Sequence, residues 1–161
     1  MEIHLRPLEA GENPNSRTPH SEYDDFGPYE PSDPPPCRVD ADGSVGIVVD
    51  DQVVGTVGWH WVQWGPSQGS HCPMLGISLV PEARGRGIGT RAQVLAVDLL
   101  FRHTTSNRIE AHTDVTNVAE QRALEKAGFT QEGVVRGSQW RNGAYHDGYL
   151  YSILRNEWEQ S

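Results

Sequence analysis

The 161-residue chain lacks the marks of several protein classes at once. No apolar run approaches the roughly eighteen residues of a membrane helix, and the opening Met1-Glu2-Ile3-His4-Leu5-Arg6-Pro7 holds no apolar centre of a secretion signal. The expectation is a cytoplasmic protein with no membrane partner. Cysteine is scarce: Cys37 and Cys72 alone make neither a disulfide framework nor a zinc site. Seven histidines are scattered without ligand-like pair spacing, so no metal is expected. A basic surplus is missing as well. Net charge is −9, and residues 1–51 carry all of it, with twelve Asp and Glu against three Arg. That excludes nucleic acid as a partner, because phosphate binding needs the opposite sign. The acidic first third either suits a cationic substrate or serves solubility.

Glycine and proline, by contrast, number 28, and eight of the eleven prolines lie in residues 1–36, closing with Pro34-Pro35-Pro36. Residues 11–36 therefore read as an irregular acidic loop within one domain spanning 1–161. Inside it, Tyr23, Asp24, Asp25 and Phe26 mix acids with aromatics, a composition that can hold an organic cation or simply be solvated.

Hydrophobic period orders the rest as strand, loop, hairpin, strand, helix, strand, helix, hairpin. Strands are expected at 3–8, 44–50, 53–62, 74–80, 107–114, 129–141 and 144–154. Gly55 and Gly58 mark a bulge or a close backbone approach in the third of these. Trp59, Trp61 and Trp64 follow closely; Trp59 and Trp61 share a face, for core packing or as an aromatic wall that holds a cation. Ile88, Ala92, Leu95 and Leu99 line one face of a helix running to Phe101. Glu110, His112 and Asp114 give the next strand a fully polar face. Asn117 caps a short helix with Glu120 at the capping-box position, and Gly128 stops it. Asn142-Gly143 is a strong hairpin signal, and residues 156–161 read as a tail. No internal repeat appears. The sum is an α+β (mixed α/β) domain.

One stretch carries the chemistry. An apolar strand ends at Leu79-Val80, and Pro81-Glu82-Ala83-Arg84-Gly85-Arg86-Gly87-Ile88-Gly89-Thr90 opens the long helix. Glycines let backbone approach a ligand, the first N–H groups of a helix lack internal partners, and Arg84 and Arg86 add charge. The junction is a phosphate cradle. Its G-x-G-x-G spacing is not the dinucleotide pattern, and no Gly-Lys-Ser/Thr follows to make a P-loop.

With Arg108-Ile109-Glu110, Asn117 and Glu125-Lys126-Ala127-Gly128-Phe129 downstream in order, the cradle resembles that of the GNAT superfamily of N-acetyltransferases. Glu132-Gly133-Val134-Val135-Arg136 and the closing Leu154-Arg155-Asn156-Glu157-Trp158 resemble its ribosomal-protein N-terminal (alanine) acetyltransferase branch. The resemblance implies a central, mostly antiparallel twisted sheet of about six or seven strands, with a splayed strand pair holding acyl-CoA. It implies acetyl-CoA as cosubstrate: Leu79 and Val80 on the pantetheine arm, Arg84, Gly85, Arg86, Gly87, Ile88, Gly89 and Thr90 at the pyrophosphate, and Asn117 on the pantetheine. Lys126 either reaches the adenosine end or stays solvated. The partner would be a small-molecule or peptide amine, with a homodimer left open.

Acetyl transfer needs a neutral amine and a proton for the departing thiolate. Relatives use a carboxylate at the Glu110 strand, so Glu110 is the first candidate base. His112 is the second, since an ordinary imidazole pKa of about 6.5 suits proton transfer. Two departures from the family pattern stand out: Leu124 replaces a catalytic tyrosine, and Glu120 replaces a serine. The acid is then Glu120, water, or one of Tyr145, Tyr149 and Tyr151, unless Glu120 serves only as a cap.

Overall fold

Two tight turns set the register of the sheet. Asp50 and Asp51 take φ of 46° and 67°, and Asn142 and Gly143 take 51° and 79°. Positive φ at both central residues makes a turn whose twist matches that of the strands it joins. The first links β2 (Gly43–Val49) to β3 (Gln52–Gln63), and the second links β6 (Thr130–Arg141) to β7 (Ala144–Leu154). This computed structural model describes residues 1–17, 21–30 and 32–161. Parts of the expected 11–36 loop, at 18–20 and 31, lie outside the described residues.

With β1 (Ile3–Arg6), β4 (His71–Leu79) and β5 (Arg108–Asp114), the hairpins form one seven-stranded sheet in the order β1-β2-β3-β4-β5-β7-β6. Neighbours are antiparallel except β4 and β5. A parallel pair needs a crossover, which α1 (Ile88–His103) supplies.

That parallel pair is brief. β4 and β5 are in register only at Met74–Glu110 and Leu75–Ala111. Past that point β4 follows β3 as far as Leu79, β5 follows β7 as far as Asp114, and a gap opens between them. The Val80 N–H bonds the Val54 carbonyl of β3 at 2.9 Å. Strand backbone alternates its sides, so the polar groups of Ile77 and Leu79 face the gap. That bond continues the β3–β4 register one step past Gly55–Leu79, while on the other side of β3 the β2 register slips between Ile47 and Val48, a bulge at Val54. Beside the bulge, Gly55 lies so close to the Ser78 carbonyl that a Cβ would collide with it.

Two helices, α1 and α2 (Val118–Lys126), pack on one face of the sheet. Ile88, Ala92, Ala96, Val97, Leu100 and Phe101 of α1 meet Ile47, Val57, Ile109 and Tyr151 in the core. Each such large side chain contributes about 1.5–3 kcal/mol on burial. The buried face is turned by about one residue from the expected stripe. Leu95 and Leu99 are only half-buried, because the small Ala92 and Ala96 let the helix lie close to the sheet.

The expected tail is structured. Residues 155–159 form a short helix, α3 (Arg155–Glu159), and its Arg155 donates to the carbonyls of Phe101, Thr104 and Ser106 at 2.8–3.0 Å. Trp158 stacks on Phe101 with ring centroids 5.2 Å apart. Last-turn carbonyls of a helix have no partners of their own, and a following arginine satisfies them. Among the described residues no helix is long and apolar enough to cross a membrane.

Candidate active site

The start of α1 forms one end of the gap. Gly85 and Gly87 take φ of 70° and 78°, and Gly87 is the N-cap, without a side-chain cap. A Cβ at either would meet nothing within 4 Å, so the surface over this backbone is open. Arg84 folds back and donates from Nε to the Leu79 carbonyl at 3.0 Å, which holds its guanidinium beside the free helix end. The result is a positive concavity built from backbone N–H groups, a helix dipole and one arginine.

A cavity of about 600 Å³ runs from this cradle along the β4 edge. Leu79, Arg84, Gly85, Gly87, Gly89, Thr90, Asn117 and Lys126 line it, as does the far wall of α2. Three residues expected here do not. Ile88 turns its side chain into the core, Val80 is buried with its N–H taken by Val54, and Arg86 is exposed, its Nη2 3.7 Å from the Met1 sulfur. A second cavity, about 300 Å³, adjoins the first between the parted strands. Tyr23, Asp24 and Phe26 form its outer wall, and Ala111, His112, Thr113 and Asp114 its β5 side. Tyr23, Asp24, Ile77, Asn117 and Glu120 line both cavities.

Glu120 therefore stands where the two meet. Its backbone N–H bonds Asn117 Oδ1 at 3.3 Å, but its carboxyl turns away from the cap and accepts a hydrogen bond from Gln93 Nε2. The expected capping box is thus half made. Burial pushes the Glu120 carboxyl up to about 7, against the lowering effect of the Gln93 bond. The His112 imidazole moves the other way, lowered by burial and by the Arg141 charge, so it is neutral at pH 7. Its Nε2 lies 3.1 Å from Ser138 Oγ. Burial alone would raise Asp114, but hydrogen bonds from Thr116 and Arg141 outweigh it and hold the carboxyl below its ordinary value.

Arg141 also straps the outer wall in place. It donates to Asp114 and to the Glu22 carbonyl and lies over the Tyr23 ring. Tyr23 and Thr116 share a hydroxyl hydrogen bond at 3.2 Å. Asp25 faces elsewhere: its side chain accepts from the Gly27 N–H and its carbonyl from the Asn142 N–H.

Three expected site residues leave the site altogether. Glu110 is fully buried but lies before the point where the strands part, opposite Met74 in a closed register. Its carboxylate is engaged by Trp64 Nε1 and by Arg108, which continues to Glu132. Trp59 and Trp61 line neither cavity; they donate to the carbonyls of Arg38 and Ala41 and pin the chain before β2. In the other direction, Gln93, Gln139 and Arg141 line the smaller cavity without having been expected. Gln93 left one signal: a polar residue among the apolar positions of α1. Arg141 has a local partner in Gln139, but the contacts that place it at the site are 27 and 119 residues away and leave no local mark.

The family model of the acetyltransferase (GNAT) domain matches residues 31–130, more than half of the chain. The chain belongs to the GNAT family. Among its relatives, the probable N-acetyltransferase YjcK of Bacillus subtilis is 36% identical over 111 residues, covering 69% of this chain and 60% of that protein. Two solved GNAT structures resemble the fold. RimJ of Mycobacterium smegmatis, in complex with CoA-disulfide, matches at a TM-score of 0.68 and 26% identity, over 75% of this chain and 56% of that one. The ribosomal-protein-S5-alanine acetyltransferase of Vibrio fischeri matches at 0.65 and 27%, over 74% and 64%. This GNAT chain thus spans about 60% of the length of the curated relative.

Proposed function

We propose that the chain transfers an acetyl group from acetyl-CoA directly to the primary amine of a small cationic molecule. The observation that carries the reading is the β4–β5 gap, with a glycine cradle at one end and Glu120 facing both cavities. Family membership and the CoA-bound likeness to RimJ support the donor. So does the fit: the Ile77 backbone and the Leu79 N–H face the gap, open to the amides of pantetheine, and the start of α1 offers N–H groups to a pyrophosphate. Arg84, Gly85, Gly87, Gly89 and Thr90 would hold the pyrophosphate, Asn117 the pantetheine, and Lys126 the adenosine end.

Acetyl-CoA supplies an activated acetyl group; the chain must orient the amine and move its protons. The amine arrives as an ammonium and must lose one proton before its nitrogen can attack. Neutral His112 can take that proton toward solvent. A second leaves the nitrogen as the amide forms, and the departing sulfur needs one. Glu120, near pKa 7 between the two cavities, can accept the second and return it to sulfur. Tyr23 and Phe26 supply aromatic faces and Asp24 a carboxylate, which suits a compact organic cation.

A second reading has its own support. The likeness to the ribosomal-protein-S5-alanine acetyltransferase favours a protein N-terminus as acceptor. A thiol-release assay with acetyl-CoA, small diamines and alanine-initiated peptides separates the two, and mass spectrometry with several acyl-CoAs identifies the group moved. Tight CoA binding without turnover on any amine would instead mark a non-catalytic CoA-binding module.

A further inference from the structure

We infer that Gln93 receives the acceptor amine, its side-chain oxygen taking one N–H of the attacking nitrogen; this rests on the acetyl-transfer reading above. Gln93 is 2% exposed, yet it lines the smaller cavity and not the larger. Its two polar ends have different fates. Nε2 donates to Glu120, while buried Oε1 has no partner among the described residues. The direction of the amide fits the ionised form of its neighbour: an ionised Glu120 accepts only, so in that form the NH₂ end faces it and the oxygen is left for something else. An unpaired buried acceptor destabilises the fold. The surrounding Ala92, Ala96 and Val97 would accept a leucine or methionine at no such cost. A group of this kind is satisfied when a ligand brings the missing donor.

The cavity tells which ligand. Oε1 accepts, so the ligand must bring an N–H or O–H, and it must bring it to the side walled by Tyr23, Asp24 and Phe26 rather than to the cradle. A primary amine, once neutral, has two N–H bonds. Gln93 Oε1 takes one and Glu120 takes the one that will be lost, so adjoining groups orient the nitrogen. A secondary amine has only the N–H that will be lost. Gln93 is therefore assigned the selection of primary over secondary amines.

The test uses the full chain with 1,4-diaminobutane and alaninamide as acceptors. Gln93→Met keeps the length of the side chain and removes both polar ends. It is expected to raise the KM for whichever amine the wild type accepts by about tenfold, the effect of one lost hydrogen bond, with the KM for acetyl-CoA unchanged. Gln93→Glu keeps an acceptor oxygen but loses the donor to Glu120. It should hold the amine KM near wild type while moving the pH–rate profile to higher pH, because two adjoining carboxyls share a proton. An amine KM left at the wild-type value in Gln93→Met, with only kcat and the pH profile changed, makes Gln93 a prop for Glu120 and overturns the inference. The Gln93→Glu result decides the matter if Gln93→Met does not bind CoA. Absence of amine-dependent thiol release in the wild type defeats the underlying reading, and the inference with it; an active wild type with an unmoved KM defeats the inference alone.

Discussion

Two carboxylates ten residues apart illustrate what decides a role at the scale of one side chain. Glu110 and Glu120 are both withdrawn from solvent, but Glu110 meets Arg108 and an indole N–H, whereas among the described residues the Glu120 carboxyl meets only the Gln93 amide. The Gln93 amide does not offset the burial that raises the Glu120 carboxyl. Glu120→Gln is therefore expected to lower amine-dependent thiol release by about 10²-fold or more, with CoA affinity unchanged. Its effect on stability has a definite sign. A folded pKa of about 7 lies above the ordinary carboxylate value, so the native state binds this proton more tightly than the unfolded chain. Stability falls as pH rises from the ordinary carboxylate range through 7, and Glu120→Gln removes that loss. Its thermal midpoint, relative to wild type, should rise between pH 5 and pH 8. Glu110→Gln is expected to do the reverse: lower the midpoint at pH 7 and leave the rate as it was. Sequence could place both carboxylates near the chemistry, but strand alternation says nothing of where two strands part. Only that point separates Glu110 from His112.

At the scale of elements, chemistry confined to a few neighbouring residues was legible. Asp50-Asp51, Asn142-Gly143, Asn117 and the glycines of the cradle each encode a local backbone geometry, and each falls where that geometry is found. Contacts across the chain were not. The closing residues read as a tail because nothing in Arg155-Asn156-Glu157-Trp158 reveals that the last turn of α1 awaits a donor some fifty residues away. The outer wall of the smaller cavity is similar: its acids and aromatics were visible, but the Arg141 strap that fixes them was not. Arg155→Ala leaves three carbonyls, one in the last turn of α1, one at its C-cap and one just beyond, without their charged donor. Charge-assisted bonds contribute about 1.5–3 kcal/mol each, but water can reach part of this site. A loss of about 2 kcal/mol in urea unfolding is expected. The KM for acetyl-CoA should not change, since the cradle is at the opposite end of the same helix.

The whole molecule is a sheet with a weak seam. Strands β1 to β4 and strands β5 to β7 are each paired over most of their lengths, but among the described residues two register positions join the two groups, and α1 and α2 bridge the rest. A ligand seated in the gap would give the free β4 edge partners on the side where β5 has left it. That predicts a large response to coenzyme. A ligand that binds only the folded state adds RT ln(1 + [L]/Kd), about 2.7 kcal/mol at a hundredfold excess over Kd. For a chain of this size each kcal/mol shifts the midpoint by roughly 2–4 °C. CoA at that excess should therefore raise the thermal midpoint by roughly 5–10 °C. Hydrogen exchange gives the finer prediction. Amides of Ile77 and Leu79 and of the first turn of α1 should gain the most protection, because among the described residues these N–H groups have no strand or helix partner. The hairpin β6–β7, already paired on both sides of an irregularity at 136–138, should change little. Equal protection across the whole sheet would mean that the coenzyme stabilises the fold globally without occupying the seam, and would remove the gap from the mechanism.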